Sequence, residues 1–228
     1  MKNILIISCG PGIDEIRKDF GHAIDWIQNG VDKKSYNFTS VDAYLNQVPF
    51  DPNIDGWILT GSSSSVYEDK AWIIELENSI RKAIELEIPI LGICFGHQLI
   101  AQAMGGVVEK NKKGWDLGSY KMIDIINDEI FNNIDHEDYF YNSHQDIVVR
   151  LPNKFLSLAQ NKMGNQAYRF GKKVYGVQFH PEFSYKIMEK YVNVRQKMGA
   201  NVNDPLVHKS VSSHNIIKNF LTLVKGLA

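Results

Sequence analysis

The chain has little sulfur, almost no charge imbalance and no long hydrophobic run. Only two cysteines, Cys9 and Cys94, occur in 228 residues, too few and too unpatterned for a disulfide framework, so the expected compartment is the reducing cytoplasm. Neither the cysteines nor the histidines show metal-ligand spacing, so no metal and no other cofactor is expected. With 25 basic against 26 acidic residues, the protein has no global field that would draw nucleic acid or an anionic membrane. The densest basic stretch, Lys110-Asn111-Lys112-Lys113, reads as a solvated loop. The apolar run after Met1-Lys2-Asn3 is too short for a signal peptide or a membrane span. There is no internal repeat, and the serines at 62–65 make a run too short for a linker.

What is present is an alternation of strand-like and helix-like segments. Asn3–Ser8 reads as a buried strand, and Ile13, Ile16, Phe20, Ile24 and Ile27 follow at helical spacing. Strands are expected at Tyr36–Val41 and Trp57–Thr60, then a helix over about 68–87 with Trp72, Leu76, Ile80 and Ile84 on one face. This order predicts an α/β protein with a mostly parallel, flavodoxin-like central sheet flanked by helices. From Gly106 to Gln178 short strands dominate, including Val107–Glu109, Tyr120–Ile126, Tyr139–Tyr141, Ile147–Arg150, Phe155–Ala159, Ala167–Phe170 and Lys173–Phe179. They predict an antiparallel extension of the sheet. Residues 202–208 read as a loop, and Ile216, Phe220 and Val224 as the packed face of a last helix. The expected organisation is one domain over 1–228 with a helical extension from about 185.

The most informative segment is Gly92-Ile93-Cys94-Phe95-Gly96-His97-Gln98, which follows Ile88-Pro89-Ile90-Leu91 and leads into Leu99–Met104. It reads as a nucleophile elbow, a sharp strand-to-helix turn in which Gly92 and Gly96 avoid Cβ crowding. The elbow presents the Cys94 thiol at the amino end of a helix, where unpaired N–H groups and the helix dipole favour a nucleophilic thiolate. Cys9 also ends an apolar strand, but Gly10-Pro11-Gly12 follows it and no elbow can be drawn, so Cys9 is read as structural. His97 is also read as structural, and His22, His136, His208 and His214 as surface residues.

A thiolate needs a base, and the base needs a partner that fixes its tautomer. Val174–Phe179 delivers His180 at the end of a strand, with Pro181 stiffening the link to Glu182. The alternative for this tripeptide is a polar corner in which Glu182 only favours a helix amino terminus.

Together, the 92–98 elbow and Gln178-Phe179-His180-Pro181-Glu182 resemble the class I, triad-type glutamine amidotransferase family. Thr60-Gly61-Ser62-Ser63-Ser64-Ser65-Val66-Tyr67 resembles the loop that forms part of that family's oxyanion hole, although many members carry Gly-Gly-Pro where this chain has Gly61-Ser62-Ser63. Asn142-Ser143-His144-Gln145-Asp146 resembles a glutamine-contacting segment, and Gly114-Trp115-Asp116-Leu117-Gly118 resembles the free-standing, GMP synthase-like branch.

The resemblance implies a catalytic Cys94, His180 and Glu182, and an oxyanion hole from the N–H of Phe95 and one from the Gly61 loop. It also implies substrate contacts from Gln98, Ser143 and His144. The implied reaction is hydrolysis of glutamine or another γ-glutamyl compound through a thioester on Cys94. No ATP-pyrophosphatase segment or phosphate-binding loop follows, so the expectation is a lone amidotransferase domain. One alternative is a glutaminase subunit that feeds ammonia to a separate synthetase chain, such as a GMP synthase ATP-pyrophosphatase subunit. The intact Cys94, His180 and Glu182 disfavour a regulatory module without chemistry.

Overall fold

The strand Lys2–Ser8 (β1) buries Ile4 and Ile6 on one side and Leu5 and Ile7 on the other, the two-sided burial of an interior parallel strand. The computed structural model describes residues 1–47, 53–202 and 205–226. After β1 come α1 (Asp14–Phe20), α2 (Ala23–Gln28), β2 (Tyr36–Asp42), β3 (Gly56–Leu59), α3 (Ala71–Glu85), β4 (Ile90–Ile93) and α4 (Phe95–Ala103). The second half contributes β5 (Val107–Lys110), β6 (Asp116–Tyr120), β7 (Asp124–Ile125), β8 (Phe140–His144), β9 (Asp146–Arg150), β10 (Phe155–Asn161), β11 (Gly164–Phe170) and β12 (Val174–Val177). Helices α5 (Tyr185–Lys197) and α6 (Asn215–Gly226) follow.

The main sheet runs β2-β1-β3-β4-β12-β11-β10-β7. Its first five strands are parallel, and β11, β10 and β7 extend it antiparallel. Two ribbons, β5 with β9 and β6 with β8, stand apart from it. One face is covered by Ile216, Phe220 and Val224 of α6, and the other by Trp72, Leu76 and Ile80 of α3 with Leu99 and Ile100 of α4. A third cluster joins Ile16, Trp26, Phe183, Met188 and Val192, fastening α1, α2 and α5 over Leu117 and Tyr141 of the β6–β8 ribbon. In open sheets of this kind, ligands bind beyond the carboxyl ends of the parallel strands. No helix among the described residues is long and apolar enough to cross a membrane.

Three expectations need correction or restriction. The isoleucines from 13 to 27 do not lie on one helix: Gly21 at φ 81° ends α1, and His22 caps α2. A reciprocal capping box holds that break, with His22 N–H donating to Asp25 at 2.9 Å and Ile24 N–H donating to His22 Nδ1 at 3.4 Å. The strand expected over 120–126 is two shorter ones, because β6 starts earlier, at a buried Asp116, and tolerates Gly118 at φ 124°. A Cβ at Gly118 would stand 2.8 Å from the Leu206 carbonyl, and Leu206 accepts the Ser119 N–H at 3.0 Å. In the expected 202–208 loop, residues 203 and 204 lie outside the described residues, and the others carry no helix or strand.

Candidate active site

The elbow is built by close approach. A Cβ on Gly92 would meet the Gly96 carbonyl at 2.5 Å, and one on Gly96 would meet Leu59 of β3 at 2.7 Å. Bare backbone at both positions lets α4 start directly beneath the end of β4. The positive φ falls on Cys94 itself, at φ 53° and ψ −100°. A side chain held in so sparsely populated a conformation stores about 1–3 kcal/mol, a strain that collects at functional positions. The Cys94 N–H donates to Val177 O of β12 at 2.8 Å, tying the turn to the strand that delivers His180. Cys9 lies within the core at the end of β1, and burial pushes its pKa up to about 12, which disfavours a reactive thiolate.

His180 leaves the end of β12 with its N–H bonded to Tyr141 O at 2.7 Å and its ring stacked on Phe183 at 4.1 Å. Its Nδ1 lies 2.8 Å from Glu182 Oε1, so the proline corner does bring carboxylate and imidazole together. Burial works against charge on this ring, but its interactions with the Glu182 carboxylate and with Cys94 outweigh it and push its pKa up to about 10. The three side chains therefore stand in one row, with the imidazole between the Cys94 sulfur and the Glu182 carboxylate.

Gly61, just beyond β3, presses against this row: a Cβ there would stand 3.0 Å from His180 Cε1 and 3.6 Å from Cys94 Cβ. Phe95 opens α4, so its N–H is one of the amides a helix cannot pair internally. The serine loop is tethered across the site by Ser65 Oγ, which donates to Asp146 Oδ2 at 2.5 Å.

Two cavities meet at Cys94. The first, about 180 Å³, is lined by Ser62–Ser65, Gln98, Trp115, Ser143, His144, Asp146 and Arg195. The second is narrower, about 40 Å³, and lies on the His180 side beneath Ile13, Ile16, His22 and Trp26. All three expected substrate contacts line the first cavity, in different states. Ser143 Oγ is buried without a hydrogen-bond partner among the described residues. Both Gln98 amide hydrogens are already donated, to Asp146 O at 2.9 Å and Gln178 Oε1 at 3.0 Å. His144 faces Asp146 O at 3.0 Å through Nδ1 and buried Asp116 at 3.5 Å through Nε2.

His97 is fully buried against Tyr168, and burial drives its pKa down to about 3, in keeping with a packing residue. Among the residues read as surface histidines, His136, His208 and His214 are exposed. His22 is not: it is half-buried, contacts Gly10 O at 3.1 Å and lines the second cavity. Sequence reasoning missed it because its capping partner Asp25 becomes informative only once the helix breaks at Gly21. Arg195 and Trp115 were missed as site residues too. The signal for Arg195 was a cation at the i, i+4, i+7 spacing of Met188 and Val192, on the apolar face of α5.

The family model for "Glutamine amidotransferase class-I" matches residues 18–195. The chain belongs to the class I glutamine amidotransferase family. Over 155 residues it is 37% identical to the glutamine-hydrolyzing GMP synthase subunit of Methanococcoides burtonii, covering 65% of this chain and 72% of that one. It is 29% identical over 152 residues to gamma-glutamyl peptidase 5 of Arabidopsis thaliana, covering 62% and 60%. The longer GMP synthases that it matches are spanned over about a quarter of their length. A glutamine amidotransferase structure from Thermotoga maritima superposes with a TM-score of 0.71 at 21% identity, covering 99% of this chain and 94% of that one. That amidotransferase shares the fold described above.

Proposed function

We propose that this family member hydrolyses the γ-amide of glutamine or another γ-glutamyl compound through a thioester on Cys94. The observation that carries the proposal is the strained Cys94 sharing one site with the His180–Glu182 pair at 2.8 Å. The Cys94 thiolate attacks the amide carbon, and the oxygen gathers negative charge facing the N–H of Phe95 and the Gly61 loop. Losing one such donor costs about 3 kcal/mol of transition-state stabilisation. His180 gives its proton to the departing nitrogen, which leaves as ammonia or amine, and the γ-glutamyl thioester remains. His180, held by Glu182, then takes a proton from water as the water attacks the thioester. Glutamate leaves and the thiolate–imidazolium pair is restored. Ser143 and His144, with Gln98 holding β9 beside them, would form the wall against the glutamyl group. The free thiol that this chemistry needs suits a reducing, cytoplasmic setting.

A second reading, a glutaminase subunit passing ammonia to a synthetase chain, draws support from the similarity to the Methanococcoides GMP synthase subunit. The two separate on glutamate release by the purified chain from glutamine, γ-glutamyl dipeptides and γ-glutamyl anilides. Appreciable turnover with no partner, peptides at least matching glutamine, supports the self-sufficient hydrolase. Idleness on every compound, relieved by a synthetase chain from the same cell, supports the second reading.

A further inference from the structure

Arg195 is a cation without an anion. Among the described residues it has no carboxylate partner within ion-pair distance, and its Nε is buried with no hydrogen-bond acceptor. Its guanidinium lies 5.2 Å over the Trp115 ring, and burial holds its pKa below the usual arginine range. An unsatisfied buried polar atom costs about 1–3 kcal/mol, more when charged, so keeping one here calls for an occupant that repays it. Helix α5 aims this side chain at the junction of the two cavities, where it lines both alongside Cys94 and Ser143. Apart from Cys94, whose charge in the proposed mechanism is matched by His180, the larger cavity holds one other group of full charge, Asp146. Its carboxylate accepts, among the described residues, from the Ser65 and Tyr67 hydroxyls. A pocket with one unpaired charge of each sign matches a zwitterion.

We propose that Arg195 binds the α-carboxylate of the γ-glutamyl group and so restricts the site to substrates with a free amino-acid head. The proposal rests on Cys94 being the γ-glutamyl acceptor. A planar guanidinium stacked on an aromatic ring is suited to bidentate carboxylate recognition, and lysine is a poor replacement. Arg195 thereby selects the substrate, while the His180 side of Cys94 is left to the departing nitrogen.

The test measures the rate of Cys94 alkylation by intact mass with two reagents. One is 6-diazo-5-oxo-L-norleucine, a glutamine analogue that alkylates a thiol with loss of dinitrogen; the other is iodoacetamide, which has no head group. Arg195→Gln should slow the diazoketone about 10- to 100-fold, the worth of a hydrogen bond to a charged group, and shift the iodoacetamide rate by less than twofold. Arg195→Lys should recover part of the loss. In wild type, the diazoketone lacking its α-carboxylate should react about as slowly as the parent reagent does with Arg195→Gln. That comparison needs no variant to fold. Equal diazoketone rates in wild type and Arg195→Gln, or an equal slowing of both reagents, overturns the proposal and leaves Cys94 as nucleophile. If wild type takes iodoacetamide and refuses the diazoketone, the γ-glutamyl reading itself fails and the proposal with it.

Discussion

Gly61→Ala should disable the site while leaving the protein folded. The added methyl carbon would stand 3.0 Å from His180 Cε1, whereas ordinary contact begins at 3.4 Å, so ring and loop must part by at least 0.4 Å. The ring has little room to retreat, because Phe183 stacks on it at 4.1 Å and Glu182 holds its Nδ1 at 2.8 Å. Either His180 tilts away from Cys94 or the Gly61 loop withdraws the oxyanion donor proposed for it. A misplacement of about 1 Å near reacting groups costs about 100-fold, so a shift of roughly half that size should lower kcat/KM about tenfold. The stability cost is ordinary overpacking of about 1–3 kcal/mol, or several degrees of Tm at this chain length, at about 2–4 °C per kcal/mol. The assay is kcat/KM for a γ-glutamyl anilide alongside thermal unfolding. Gly92→Ala is the contrast, since its Cβ would meet backbone at 2.5 Å and should prevent proper folding. A Gly61→Ala protein with kcat/KM within twofold of wild type would refute the claim that this loop bears on the reacting groups.

Within the row of three, His180→Ala should abolish nearly all turnover. Glu182→Gln should leave at least tenfold more, because orienting a base is worth less than supplying it; single-turnover kinetics on both variants decide the order. The His180 pKa also sets a pH dependence of stability. Folding raises it from the ordinary 6.5 to about 10, so the folded state binds the proton more tightly. The resulting stabilisation is complete below pH 6.5 and is lost as pH rises through 10. Denaturant titrations from pH 6 to 10 should therefore show wild type losing more stability than His180→Gln; parallel slopes would contradict the pairing.

Much of this architecture is legible in the residues. The run Ile4–Ile7 announces a strand buried on both faces, and the glycines at 92 and 96 announce a turn with no room for side chains. His180-Pro181-Glu182 is more ambiguous from sequence alone, since the 2.8 Å contact depends on the corner's direction and on Tyr141 and Phe183 packing around the ring. The break at Gly21 is hidden because the isoleucines keep helical spacing across it, and only the φ of Gly21 reveals two helices. Arg195 is hidden for a different reason. A lone arginine in a helix with Lys186, Lys190 and Lys197 resembles solvent-facing charge; its spacing from Met188 and Val192 puts it on the packed face, but only tertiary packing shows α5 lying over the site.

The most direct test of the account is to catch the thioester. Protein mixed with a γ-glutamyl substrate, quenched in acid during turnover and weighed intact should show a fraction heavier by one glutamyl group. Peptide mapping should place that group on Cys94, and Cys94→Ser should show none, whereas Cys9→Ser should behave as wild type. A glutamyl group on Cys9, or undiminished turnover by Cys94→Ser, would contradict the central claim.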